Sequence, residues 1–129
     1  MAATPRDTKV WQEAVGLAAD VIRVVRRTTR RETKAFTDAL MLASSAAASA
    51  IAEAPTRPTQ SEERECYTRA RRALVTVETQ LAIARVSGII PSSVHAQLAS
   101  RVASLSQRVS NSLNHVEPHT DALPMLTGD

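Results

Sequence analysis

Apolar residues recur at spacings of three and four along most of the chain, and polar or proline-containing segments interrupt this pattern three times. Such spacings place side chains on one face of an α-helix, whereas a strand needs alternation at every second residue. The most regular stripe consists of Tyr67, Ala70, Leu74, Val77, Leu81 and Ala84. The pattern predicts an all-α fold with helices over about residues 9–28, 35–54, 61–87 and 92–116.

The second predicted helix carries very little charge, because Asp38 and Glu53 are its only charged residues after Phe36. Alanines recur along it at spacings that align them on one side of a helix. They predict a close-packed face made of Ala39, Ala43, Ala47, Ala50 and Ala54. Helices approach each other closely along such a face.

The outer sides of the first two helices are also apolar. The first helix has an apolar arc of about half its circumference, wider than the ~100° that one packing partner needs. The back of the second helix is marked by Met41, Ala48 and Ala52. Because soluble monomers rarely expose large apolar patches, we expect a homo-oligomer with these three residues at its interface.

Capping residues and short connectors separate the four helices. The candidate N-caps are Thr8 or Asp7 for the first helix, Thr59 with Glu62 at the capping-box spacing or else Ser61 for the third, and Ser92 or Ser93 for the fourth. Short connectors make neighbouring helices antiparallel. The sequence therefore predicts an up-down-up-down antiparallel four-helix bundle over residues 8–117, followed by a mobile tail over 118–129.

Composition is in keeping with one domain in a reducing compartment. The chain has 129 residues, of which 43% are hydrophobic, and its lone cysteine, Cys66, cannot form an internal disulfide. The uncharged run 39–52 is shorter than a bilayer span, and no basic-then-apolar leader opens the chain. We expect a soluble, cytoplasmic protein without a membrane partner.

The sequence lacks the patterns that carry catalysis or metal binding. No histidine follows a glutamate by three residues, as a di-metal bundle requires, and Pro118 interrupts the helix that would present His115 and His119 together. No phosphate-binding glycine loop or nucleophile elbow is found. We therefore expect no catalytic residue, no metal and no cofactor, and a protein that is not an enzyme.

Basic residues are concentrated near the end of the first helix. Fourteen of the sixteen basic residues of the chain are arginines, whose planar fork suits phosphate. The candidate nucleic-acid-binding residues there are Arg23, Arg26, Arg27, Arg30, Arg31 and Lys34. The third helix adds Arg69 and Arg72, which point away from its apolar stripe, whereas Arg64 and Arg71 lie nearer its edge. These residues predict binding of RNA or DNA through phosphates.

A second interpretation remains open at this point. Most basic clusters are solvated surface, basic residues favour a helix C-terminus, and genome base composition also raises arginine usage. The alternative is therefore a purely structural or protein–protein interaction module whose arginines keep it soluble.

Four short motifs, in order, resemble those of a known bacterial family. They are KVWQEA at 9–14, IAEA at 51–54, ETQL at 78–81 and SGII at 87–90. They are similar to the four-helix-bundle proteins encoded by intervening sequences in 23S rRNA genes, a family that also includes the accessory variability protein of diversity-generating retroelements. The resemblance extends over about residues 8–116.

The resemblance carries expectations of its own. It implies a homopentameric barrel of four-helix subunits without catalytic activity, which in the retroelement branch binds nucleic acid and a reverse transcriptase. Family members typically carry basic residues early in the second helix, whereas residues 42–50 are uncharged here.

Overall fold

The computed structural model describes residues 8–116, which form four α-helices and contain no strand. The helices are α1 (Lys9–Thr28), α2 (Lys34–Glu53), α3 (Gln60–Val86) and α4 (Ser92–His115). Short 3-10 turns, Arg31–Thr33 and Ala54–Thr56, lie on either side of α2. The predicted all-α fold is confirmed, and the tail expected over 118–129 lies outside the described residues.

The four helices pack as a closed ring. Each helix contacts the next along the chain, and α1 also packs against α4. Two ion pairs join α1 to α4: Asp20 pairs with Arg101, and Glu13 pairs with Arg108 at 2.9 Å. Because residue numbers fall along α1 as they rise along α4, these two helices are antiparallel. The arrangement is consistent with the predicted four-helix bundle.

The core lies along the axis of this ring, and α3 contributes most of its length. All six positions of the predicted α3 stripe are buried, and Leu74, Val77 and Leu81 are at most 1% exposed. Cys66 is buried beside this stripe. The opposing side chains come from α1 and α4, among them Val21 and Val109, which are both fully enclosed.

The buried face of α2 differs from the predicted one. It consists of Thr37, Leu40, Ser44, Ala47, Ala50 and Ile51. Ala39, which was expected in the close-packed face, is exposed. Met41 and Ala48, which were expected on the back of the helix, are half-buried against the edge of the core. Ala47, Ala50 and Ala54 of the predicted face are buried and Ala43 packs against the core, so that face was right in part, but the buried side is rotated toward Thr37, Leu40 and Ser44.

Two buried hydroxyl groups explain this rotation. Thr37 Oγ1 lies 3.2 Å from the Thr33 carbonyl, and Ser44 Oγ donates to the Met41 carbonyl at 2.9 Å. A buried polar group costs little when it is hydrogen-bonded, so these residues can occupy core positions. A prediction based on alanine alone does not identify such buried hydroxyl residues.

Hydroxyl side chains cap the starts of α1 and α3 as predicted. Thr8 Oγ1 accepts a hydrogen bond from the Trp11 amide at 3.3 Å. Thr59 Oγ1 accepts from the Glu62 amide at 3.1 Å and donates to the Glu62 carboxylate at 2.9 Å. The two bonds from the Trp11 and Glu62 amides satisfy donors that the first helical turn would otherwise leave unpaired.

The start of α4 does not follow the prediction. Neither Ser92 nor Ser93 caps it, because Pro91 occupies the N-cap position and Ser92 is already helical. The preceding turn includes Gly88, which adopts a φ of 85°, a left-handed conformation that favours glycine. The turn therefore brings Pro91 directly to the helix start, and no side chain caps α4.

Candidate nucleic-acid interface

The end of α1 is held in place by a threonine, so that the following arginines lie on a defined turn. The Thr29 amide donates to the Val25 carbonyl at 2.8 Å, and Thr29 Oγ1 donates to the same carbonyl at 2.7 Å. Thr29 Oγ1 also lies 3.0 Å from Thr37 Oγ1 on α2. The contact between Thr29 and Thr37 joins the end of α1 to the start of α2.

Four arginines at this end of the bundle are exposed and have no carboxylate partner among residues 8–116. They are Arg26, Arg27, Arg30 and Arg31, and we call them the basic end. The two neighbouring candidates are paired: Arg23 with Asp20, and Lys34 with Asp38 at 2.7 Å. The basic end therefore carries four positive charges in no ion pair with a described carboxylate, and the exposed Glu32 beside Arg31 is the acidic residue within this segment.

Two adjacent recesses join Arg26, Arg27 and Arg30 into one surface. Arg23, Arg26 and Arg27 line the first, of about 440 Å³. The second, of about 450 Å³, lies between the α1–α2 connector and the α3–α4 turn and is lined by Arg27 and Arg30 together with hydroxyl side chains. Because Arg27 lines both, the basic surface is continuous from Arg23 to Arg30.

The two arginines predicted on α3 lie far from the basic end. Arg72 and Arg69 precede the end of α3 by fourteen and seventeen residues, or roughly 21 to 26 Å at 1.5 Å per residue. Both are exposed but paired, Arg69 with Glu53 at 3.3 Å and Arg72 with Glu65 at 3.8 Å. A contact with Cys66 Sγ, and after it the Glu53 carboxylate, raises the pKa of Arg69, which keeps it charged. Within one chain, the predicted site residues thus form two separate groups.

The remaining α3 arginines differ from each other in their contacts. Arg64 is half-buried, and its Nη1 donates to the main-chain carbonyls of Leu113 at 3.2 Å and Val116 at 2.8 Å. Arg71 is exposed and has no carboxylate partner in the described part of the chain. Arg64 therefore joins α3 to the end of α4, a role that its place in the sequence did not indicate.

Asp20, one turn before Arg23 on α1, is the carboxylate at the edge of the basic surface. Its carboxylate accepts hydrogen bonds from Arg101 on α4 and from Arg23 on α1. These two guanidinium groups, Arg101 foremost, lower the pKa of Asp20 below its ordinary value. The carboxylate is consequently ionised at neutral pH and offsets part of the charge of Arg23.

The exposed apolar surface differs from the predicted interface. Met41, Ala48 and Ala52 are half-buried, whereas Leu42 is 70% exposed on the outer side of α2. The helical spacing of Leu42, opposite Ile51, would have identified it once the buried face was known. Exposed aliphatic side chains also lie on the outside of α3, namely Val75, Ile83 and Val86.

Two further properties bear on the kind of site present. No group of three or more His, Cys, Asp or Glu side chains within residues 8–116 is placed to hold a metal ion. By length and composition alone, the segment Arg31–Thr56 is long and apolar enough to cross a membrane. Six of the twenty residues of α2 are buried in the bundle.

Comparison with known proteins gives one match. Searches of curated proteins and of solved structures find no significant similarity. The family described as 23S rRNA-intervening sequence protein matches residues 6–111, which is most of the chain. The match includes all of α1, α2 and α3, the four motifs noted in the sequence and the basic end. The chain therefore belongs to the 23S rRNA-intervening sequence protein family.

Proposed function

We propose that this protein is a non-enzymatic nucleic-acid-binding bundle whose basic end contacts the phosphates of RNA or DNA. The observation that carries the proposal is that Arg26, Arg27 and Arg30, exposed and without an ion pair to a described carboxylate, line two adjoining recesses, with Arg31 next to Arg30 in the chain. The family name, which refers to an rRNA-intervening sequence, favours RNA. Arg69 and Arg72 would form a secondary contact, because each must share its charge with a glutamate.

The number of arginines that contact phosphates sets how steeply the affinity for nucleic acid should fall with salt. If all four arginines neutralise phosphates of a single strand, binding weakens roughly 50-fold between 50 and 200 mM salt, at a slope of about 0.7 per phosphate. Arginine suits this contact because its planar fork donates two parallel hydrogen bonds to phosphate oxygens.

The test is fluorescence anisotropy with labelled single-stranded RNA and duplex DNA over a salt series. Replacing Arg26, Arg27, Arg30 and Arg31 with glutamine should weaken binding and reduce the salt slope by as much as about 2.8 on single strands. The control variant replaces Arg57 and Arg71 with glutamine. Both are exposed and lie away from the basic end.

The outcomes separate the two interpretations. A smaller loss of affinity per charge in the control than in the basic-end variant supports the proposal. Equal losses per charge would indicate binding by net charge alone, and a flat salt response or no binding at low salt would favour a structural or protein-interaction module. Circular dichroism of both variants should show unchanged helicity, since the replaced side chains are exposed.

We also propose that the protein is a homo-oligomer, with the five subunits that the family resemblance implies. The support is the outer face of α2, where Leu42 and its neighbours Ala39 and Ala46 are exposed and uncharged. Light scattering after gel filtration should give a mass several times the 13.9 kDa of one chain. A mass of one chain at micromolar concentration would refute this assembly.

Leu42→Glu tests whether the outer face of α2 forms the interface. It should lower the measured mass while leaving helicity intact, because Leu42 is exposed in the single chain. Ala103→Glu, at an exposed position of α4, is the matched control and should leave the mass unchanged. Met41→Glu is less informative, because Met41 packs against the core and its replacement disturbs the fold as well.

The cellular role that we propose follows from the family alone. The protein would act in the cytoplasm as an accessory to an rRNA-associated element or, as in the retroelement branch, beside a reverse transcriptase. Co-purification of the full chain with a reverse transcriptase encoded nearby, or with rRNA fragments, distinguishes these two settings.

A further inference from the structure

The recess between the α1–α2 connector and the α3–α4 turn has a chemistry that phosphate binding alone does not require. Besides Arg27 and Arg30, its walls include the hydroxyl side chains of Thr28, Thr29, Thr33 and Ser87 and the aliphatic side chain of Ile89. No carboxylate lines it. Its volume of about 450 Å³ is in the range of small-ligand pockets.

The hydroxyl groups of this recess already donate their protons to the main chain. Thr28 Oγ1 donates to the Val24 carbonyl at 3.0 Å, and Ser87 Oγ donates to the Ala84 carbonyl at 3.3 Å. A hydroxyl group has one proton and two lone pairs, so while these bonds are in place each oxygen offers a ligand its lone pairs. The recess thus combines guanidinium donors with hydroxyl acceptors.

Such a recess suits a ligand that carries both an anionic group and a hydroxyl donor. We infer that it takes the ribose phosphate of one nucleotide of an RNA strand, with the phosphate on Arg27 and Arg30 and the 2′-hydroxyl donating to Thr28 or Ser87. The 2′-hydroxyl is the group by which a protein distinguishes RNA from DNA at one site. This inference rests on the proposed function and adds a preference for RNA.

The neighbouring glycine leaves this recess open. Gly88 lines the recess, and a Cβ built on it would meet no atom within 4 Å, so the space beside this glycine is open. Ile89, which is half-buried next to Gly88, offers an apolar wall for the face of the sugar. From the shared Arg27, the strand would continue into the recess lined by Arg23 and Arg26.

The experiment compares oligouridylate with the oligodeoxyuridylate of equal length, which differ only in the 2′-hydroxyl. Anisotropy titrations at low salt should show RNA binding roughly threefold to tenfold tighter, the fold-change of one neutral hydrogen bond. The double variant Thr28→Val and Ser87→Ala should bind RNA as weakly as DNA, with DNA binding unchanged. Arg30→Gln should weaken both.

The matched control makes the same two substitutions outside the recess, as Thr79→Val and Ser100→Ala. Thr79 Oγ1 donates to the Val75 carbonyl at 2.9 Å, as Thr28 does to Val24, and both control positions are exposed. The control should retain the full preference for RNA.

Each contrary result points to a different failure. Equal binding of the two oligomers, with the steep salt dependence intact, would overturn the RNA preference and leave the proposed function standing. Loss of DNA binding in the hydroxyl variant would show a structural effect and overturn the assignment. Uridine monophosphate binding as tightly as the strand would make the ligand a free nucleotide, and no binding of any probe would refute both proposals.

Discussion

Arg64 lies near the start of α3, and its substitution tests what holds this helix to the end of α4. Its guanidinium donates to the carbonyls of Leu113 and Val116, in the last turn of α4 and at its C-cap. The last carbonyls of a helix have no partner within the helix. Arg64→Gln removes the charged donor, and we expect a loss of about 1.5 to 3 kcal/mol, the usual value of hydrogen bonds to charged groups.

The assay is urea unfolding at a fixed protein concentration, since oligomerisation would make stability depend on concentration. At about 4 °C per kcal/mol for a domain of this size, the midpoint of thermal unfolding should fall by about 6 to 12 °C. The comparison variant is Arg71→Gln, which should change the free energy of unfolding by less than about 0.5 kcal/mol, as expected for exposed positions. Arg64→Lys should lose less stability than Arg64→Gln, because lysine keeps the positive charge but lacks the planar guanidinium with its several donors.

Hydrogen exchange locates the effect. In Arg64→Gln, amide protection should fall first in the last turn of α4, near Leu113. A loss of stability no greater than that of Arg71→Gln, or unchanged protection at the end of α4, would refute the role assigned to Arg64.

Three further substitutions test other contacts. Gly16→Ala should stabilise α1 by about 1 kcal/mol, the difference in helix propensity between the two residues. The added Cβ would lie 3.4 Å from Arg101 Nη2, an ordinary contact distance. A lower melting temperature would contradict this. Asp20→Asn should cost no more than about 1 kcal/mol at pH 7. Because the folded-state pKa of Asp20 is lowered, its contribution is present above the ordinary carboxyl value of about 3.9 and disappears as pH falls through the folded pKa. In urea titrations, a stability difference between Asp20→Asn and wild type that stays constant as pH falls below about 3.9 would contradict this. Ala47→Leu should cost about 1 to 3 kcal/mol by overpacking, since Ala47 is 1% exposed, whereas Ala103→Leu on the surface should have little effect on the urea midpoint.

The helices and most of their ends were predictable because their causes are local. In α3, large apolar side chains repeat at helical spacing against a polar background, so the buried face is unambiguous. The cap formed by Thr59 and Glu62 involves residues only three positions apart. Interactions over so short a distance along the chain are visible in the sequence.

The rotation of α2 was not predictable from the same kind of pattern. Alanine and serine occur on all sides of this helix, so the contrast between its faces is small. Thr37 and Ser44 can enter the core because hydrogen bonds to main-chain carbonyls about one turn earlier satisfy their hydroxyl groups. Which side of the helix is buried depends also on how the neighbouring helices pack against it, and a single sequence does not show that packing.

The candidate site was predictable as a cluster, but not in its charge balance. The arginines of the basic end are close in sequence, and so is the pair Lys34 and Asp38. The pairing of Asp20 with Arg101 joins residues 81 positions apart, and that of Arg64 with Val116 joins residues 52 positions apart. Only the fold shows which arginines are occupied by such contacts and which are available to a ligand.

The antiparallel course of α1 and α4 has a practical consequence for experiments on this protein. Thr8 and Val116 both lie at the end of the bundle opposite the basic end, about 30 Å away by the length of α1 at 1.5 Å per residue. A fluorophore, affinity handle or surface linker attached beyond either of them starts from the far side of the molecule. Sensor chips that capture the protein through such a linker should therefore present the arginines of every bundle toward the solution, where a passing strand can reach them.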